Sequence, residues 1–150
     1  MTQLHEMIYV SQRPPEVTDE VIIEDIVLPA GMKNRRLEIT GCLWFSDDRF
    51  LQLLEGPPRN VLNLYATIEK DRRHTNIHLL SSSTLAARSF SRWNMRALSS
   101  DEKQEIDELI RYYVPSTRAE LKPGAQPTRS LLEQVRSYLV RLAQSDPRSN

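Results

Sequence analysis

Residues 38–56 read Glu38-Ile39-Thr40-Gly41-Cys42-Leu43-Trp44-Phe45-Ser46-Asp47-Asp48-Arg49-Phe50-Leu51-Gln52-Leu53-Leu54-Glu55-Gly56. Two apolar runs, Ile39 to Phe45 and Phe50 to Leu54, flank the polar Ser46-Asp47-Asp48-Arg49. Two strands joined by such a turn make a β-hairpin. Gln52 is the one polar residue in the middle of the second run. Side chains alternate along a strand, so Gln52 shares a face with Phe50 and Leu54. A buried amide without a partner costs about 1–3 kcal/mol, so Gln52 needs a protein group, a water or a ligand.

Toward the N-terminus, Met7-Ile8-Tyr9-Val10-Ser11 reads as a first strand, with Met7, Tyr9 and Ser11 on one face. Pro14-Pro15 ends it. Thr18 is a candidate N-cap, followed by Asp19 and Glu20 at the positive end of a helix. Ile22, Ile23, Ile26 and Val27 give that helix an apolar stripe, and Pro29 and Gly31 are expected to stop or distort it. Residues 32–36 then form a basic connection into the hairpin. Beyond Gly56, Pro57-Pro58 opens a second helix carrying Val61, Leu64, Tyr65 and Ile68 at i, i+3, i+4 and i+7. It ends in Asp71-Arg72-Arg73-His74, with cations near its negative terminus. Ile77 to Leu80 reads as a fourth strand and Trp93 to Leu98 as a short fifth.

The order strand, helix, strand, strand, helix, strand is the ferredoxin-like βαββαβ arrangement, an α+β fold, here with one strand added. Right-handed crossovers put both helices on one face. The first and third strands become central neighbours, and Tyr9 and Gln52 lie side by side if both face the helices. Ser99-x-x-Glu102 and Ser130-x-x-Glu133 read as capping boxes of two tail helices, joined by a proline-rich stretch over 115–127. The second carries Leu131, Leu132, Val135, Tyr138, Leu139 and Leu142. These helices are expected to cover the bare face of the sheet, within the chain or across a dimer. Residues 1–98 then form the core domain and 99–150 a helical extension, with 146–150 frayed.

Composition bounds the function. The 150 residues suffice for one domain with its own core, and 39% hydrophobic with 27% charged residues fits neither a disordered nor a membrane chain. Twenty cations balance twenty anions, so no basic surplus argues for nucleic acid. No export signal is read, and the single Cys42 suits a reducing cytoplasm. Four glycines make no phosphate loop, and three histidines show no metal spacing. No nucleophile stands beside a base, so no enzyme is expected.

Thr40-Gly41 followed by Phe50-Leu51-Gln52-x-Leu54-Glu55-Gly56 resembles the signature of BLUF domains, the blue-light receptors using FAD. The resemblance covers residues 5–98. It takes in Ile8-Tyr9-x-Ser11, Asn34 ahead of the hairpin, Tyr65, Ile68, Asp71-x-x-His74 and Phe90-x-x-Trp93-x-Met95. It implies noncovalent FAD, with FMN as the alternative flavin, held between the two helices. Ile26 and Ile68 would sandwich the ring, with Asn34 on its polar edge, Asp71 and His74 toward its outer edge and ribityl chain, and Phe50 also against it. Tyr9 and Gln52 match the photoactive pair. The phenol gives an electron and then a proton to the excited flavin, and Gln52 ends rotated or tautomerised. Trp93 and Met95 match last-strand residues that respond to Gln52. No metal is implied. The partner implied is a separate signalling protein, with the chain itself a homo-oligomer. Glu38, Lys33 and Thr67 depart from the family's usual glycine, asparagine and basic residue, and none touches the Tyr9–Gln52 pair. Two rivals remain from the residues alone: a ferredoxin-like interaction module without photochemistry, and a small enzyme on the same scaffold acting on acyl phosphates.

Overall fold

The computed structural model describes residues 3–99 and 129–145. A five-stranded sheet is ordered β4-β1-β3-β2-β5, with β1 Leu4–Gln12, β2 Thr40–Phe45, β3 Arg49–Gly56, β4 Thr75–Leu85 and β5 Arg96–Ser99. All neighbours run antiparallel except β2 and β5. The helix α1 runs through Asp19–Val21, a π-helical stretch Ile22–Val27, and Leu28–Arg36. The second, α2, is Pro58–Glu69, and the third, α3, is Arg129–Ser145. The ferredoxin-like α+β arrangement is therefore present. Among the described residues no helix is long and apolar enough to cross a membrane.

The sheet separates two cores. Met7, Tyr9, Ile39, Phe50 and Leu54 lie on the face that α1 and α2 cover, with Ile22, Val27, Val61 and Tyr65 packed on them. Ile8, Val10, Cys42, Trp44, Leu51 and Leu53 lie on the back face. There Val135, Leu139 and Ala143, one turn apart along α3, close the core within the same chain. Glu6 is fully buried on this face and is held by the guanidinium of Arg136 from α3, with Nε donating to Oε2 at 2.9 Å.

Several boundaries differ from the sequence reading. Pro29 and Gly31 do not stop α1, and residues 32–36 are its last turns rather than a connection. A proline inside a helix clashes with the carbonyl four residues back and cannot donate to it. The wide turns over Ile22–Val27 make room for the ring, and Arg73 Nη1 donates to the carbonyl of Asp25 at 2.8 Å in place of the missing N–H. Ile23, placed on the apolar stripe, is 38% exposed. β5 starts at Arg96, so Trp93 and Met95 precede the strand instead of lying on it, and Ser99 ends that strand. Ser130 falls inside α3. Beyond Ser99, the helix expected as far as Tyr113, the proline-rich stretch and the last five residues lie outside the described residues.

One departure acquires a physical meaning. α1 ends in a Schellman motif: Ile39 N–H bonds to Asn34 O at 2.9 Å and Glu38 N–H to Arg35 O at 3.3 Å. The motif needs a left-handed residue at its turn, and Glu38 supplies it at φ 58°. A non-glycine residue is strained there by about 1–2 kcal/mol. Glu38→Gly is therefore expected to stabilise the fold by about 0.5–1 kcal/mol after the added freedom of the unfolded glycine is counted. A thermal melt should show a rise of roughly 2–4 °C.

Candidate functional site

The central register sets the site. Tyr9 on β1 is paired with Gln52 on β3, and Leu43 on β2 is the other neighbour of Gln52. Alternation turns Tyr9, Leu43, Phe50 and Gln52 to the helix face, at the floor of a cleft of about 220 Å³ between α1 and α2. Asp25, Ile26, Pro29, Ala30, Lys33 and Asn34 line it from α1, and Leu64, Thr67 and Ile68 from α2. Asp71, Arg73 and His74 line it from the segment after α2. Its volume is below the roughly 300–1,000 Å³ of pockets that enclose a drug-sized ligand.

The phenol of Tyr9 donates to Gln52 Oε1, and Gln52 Nε2 donates in turn to Met95 Sδ at 3.5 Å. A thioether is a weak acceptor, so the amide N–H is poorly satisfied on that side. Burial, then Tyr65 and Asp71, push the Tyr9 phenol far above its ordinary range, and burial, then Glu69, raises Tyr65 to about 12. Tyr9 therefore keeps its proton at neutral pH.

Asn34 is buried at the end of α1. Its Nδ2 donates to the carbonyl of Asn94 at 3.0 Å, and its Oδ1 is buried without a partner. A buried carbonyl oxygen lining a cleft and lacking a donor is what a ligand with a ring N–H would satisfy. His74 meets the site differently. Its Nε2 faces the carbonyl of Ile68 at 2.7 Å and so must carry a proton, while Nδ1 faces Ser11 Oγ at 2.8 Å. With both nitrogens engaged, the imidazole presents its ring to Tyr9 and Phe50, at 5.9 and 6.5 Å between centroids. Asp71 is held below the usual carboxylate range, first by Arg73, whose guanidinium chelates both its oxygens.

The structure thus gathers all eight residues expected to hold the ring: Tyr9, Ile26, Asn34, Phe50, Gln52, Ile68, Asp71 and His74. Of the two candidates beside Gln52, Met95 makes the contact. Trp93 packs on the back-face core, 6.4 Å from Phe90. The departures Lys33 and Thr67 line the cleft, and Glu38 is an exposed residue at the helix turn. Arg73 was missed because the basic run after α2 reads only as helix-end charge. Its spacing from Asp71 was the available signal.

A second layer of bonds ties down the segment that leads to Met95. Glu55 is fully buried on β3 and accepts from the N–H groups of Ser89 and Phe90 and from the Thr40 hydroxyl. Burial still raises its carboxyl above the ordinary value, and these donors only temper the rise. Gly41 N–H bonds the carbonyl of Trp93 at 3.1 Å. A Cβ on Gly41 would lie 2.0 Å from the carbonyl oxygen of Leu53, so no other residue fits there.

Comparison with known proteins bears on this site. The family model for BLUF, sensors of blue-light using FAD, matches residues 4–96. The blue light- and temperature-regulated antirepressor BluF of Escherichia coli is 40% identical over 73 residues, covering 49% of this chain and 18% of that protein. Photoactivated adenylate cyclase subunit alpha of Euglena gracilis is 28% identical over 96 residues, 63% of this chain and 9% of that protein. The chain thus spans less than a fifth of the length of these relatives. Among solved structures, the dark state of the BLUF protein BlrB superposes with a TM-score of 0.71 at 25% identity, covering 94% of this chain and 98% of that one.

The raised phenols fix an alkaline limit. Each binds its proton more tightly folded than unfolded, so their contribution is whole below pH 10.0 and is lost as pH rises beyond it. Burial raises the Cys42 thiol as well, so denaturant melts should show stability beginning to fall above pH 9.0 and falling more steeply beyond pH 10.0, where each phenol adds about 1.4 kcal/mol per pH unit.

Proposed function

Because the chain belongs to the BLUF family of blue-light sensors using FAD, we propose that Tyr9 and Gln52 are its photoactive pair and the cleft between α1 and α2 its ring site. The protein is a flavin-binding blue-light sensor, and the family's cofactor is FAD. One observation carries the assignment: the Tyr9 phenol donates to the Gln52 amide at the floor of that cleft.

Ile26, Leu64 and Ile68 supply the apolar surface against which a flat ring is held, and their bulk excludes water from Tyr9. Asn34 Oδ1, buried without a partner, would accept from the polar edge of the ring. Asp71 and Arg73, which also line the cleft, would hold the more polar part of the ligand. When bound, the flavin supplies absorption of blue light and, once excited, a strong one-electron acceptor. Tyr9 is the donor. It loses an electron, and the proton leaves its Oη along the hydrogen bond to Gln52 Oε1. Electron and proton then return to Tyr9, so no net oxidation remains. Gln52 is left rotated or tautomerised, presenting a different group to the ring and to Met95 Sδ. The amide suits this because it carries a donor and an acceptor on one pivot.

The signal then leaves through Met95, β5 and the extension. Residues 1–98 are the sensing domain and 99–150 the extension that carries output, with α3 seated on the back face of the sheet. A separate protein is the receiver, by analogy with relatives named as antirepressor and cyclase. The shift it feels is bounded by the difference in its affinity for the two states. Exposed Leu28 and Met32 favour a homo-oligomer, and the lone buried Cys42 favours the cytoplasm.

Purified protein should be yellow, and its absorption should move reversibly to the red under blue light. Tyr9→Phe is expected to bind flavin and show no such shift. A full shift in Tyr9→Phe would remove Tyr9 from the reaction, and a protein that takes up no FAD would overturn the site.

A further inference from the structure

Met95 follows Asn94, and Asn94 is tied on both sides. Its Nδ2 donates to the carbonyl of Ile39 at 3.0 Å, and its own carbonyl accepts from Asn34 Nδ2 at 3.0 Å. Ile39 N–H in turn bonds the main-chain carbonyl of Asn34 at 2.9 Å. The three residues close a ring of hydrogen bonds between the end of α1, the start of β2 and the segment before β5. Asn34 lines the cleft, and Met95 accepts from Gln52. Both polar contacts of the cleft thus reach one short piece of backbone.

Resting on the photosensor reading, we infer that Asn94 is a positioning residue that holds Met95 against Gln52 and thereby sets the lifetime of the lit state. In darkness the Gln52 N–H faces the sulfur, a weakly attractive contact. After reorientation the amide oxygen faces it, and a thioether has no hydrogen to give. Met95 is then pushed away, while the Asn94 clamp resists. The strain falls on the lit state and speeds its return. Asn94 also fixes Asn34: with Nδ2 occupied by the Asn94 carbonyl, the oxygen is left as the free group.

The test is the dark-recovery time of the full chain loaded with FAD. Asn94→Ala and Asn94→Asp both remove the donor to Ile39, and the second keeps the shape. Both keep the main-chain carbonyl that Asn34 uses, so both should bind flavin and shift to the red. Loss of one strained hydrogen bond should slow their recovery by roughly 2- to 12-fold. Asn60→Ala is the control, because Asn60 Nδ2 donates to the carbonyl of Leu37 at 2.8 Å, an equivalent bond that does not reach Met95. It should recover at the wild-type rate. Wild-type recovery in both Asn94 variants, or equal slowing by Asn60→Ala, overturns the role of Asn94. A wild-type protein with no red shift fails earlier, and takes the photosensor reading with it.

Discussion

The pairing of β1 with β3 in a single register is the constraint on which the rest depends. It sets Tyr9 opposite Gln52 in the two central strands of the sheet. A slip of one residue would turn every side chain of β1 to the other face, exchanging Tyr9 for Ile8 or Val10 and burying the amide without its phenol. The apolar residues of β1 police that register. Ile8 and Val10 are fully buried on the back face, and Met7 and Tyr9 are nearly so on the front. The core that stabilises the fold is thus also the device that aims the two polar groups at each other.

The site is held by a shell at least as polar as itself. Glu55, Thr40, Asn34 and Asn94 are half-buried or buried, and each bonds a main-chain group or a neighbour in the shell. Their common target is the run from Arg88 to Met95, which has no ladder of its own. Arg88 adds bonds to the carbonyls of Glu38 and Glu55. So many side-chain bonds fix the segment without regular secondary structure.

Much of this was legible in the sequence, for particular reasons. The lone Gln52 in an apolar strand announced itself by the cost of burying an amide, and strand alternation gave its face. The helix stripes placed Ile26 and Ile68, and the family resemblance turned them into walls of a cleft. The course of α1 was not legible. Pro29 and Gly31 are ordinary stop signals, yet the helix runs through them, with wide turns before Pro29 and a donor to the Asp25 carbonyl from Arg73, far along the chain. Met95 over Trp93 was equally hidden, since their two-residue spacing does not say which face of an irregular segment each takes. Asn94 carried no signal at all. Its partners are main-chain carbonyls, and those are invisible to any pattern of side chains.

The ion pair between Glu6 and Arg136 has its own consequence for the C-terminal helix. An apolar helix face alone can slide on an apolar sheet face with little change in contact area. A fully enclosed carboxylate cannot be left behind without its cation. Moving α3 along the sheet by one turn, about 5.4 Å, would strand the Glu6 carboxylate. The helix therefore has one seat on the sheet that keeps this pair together.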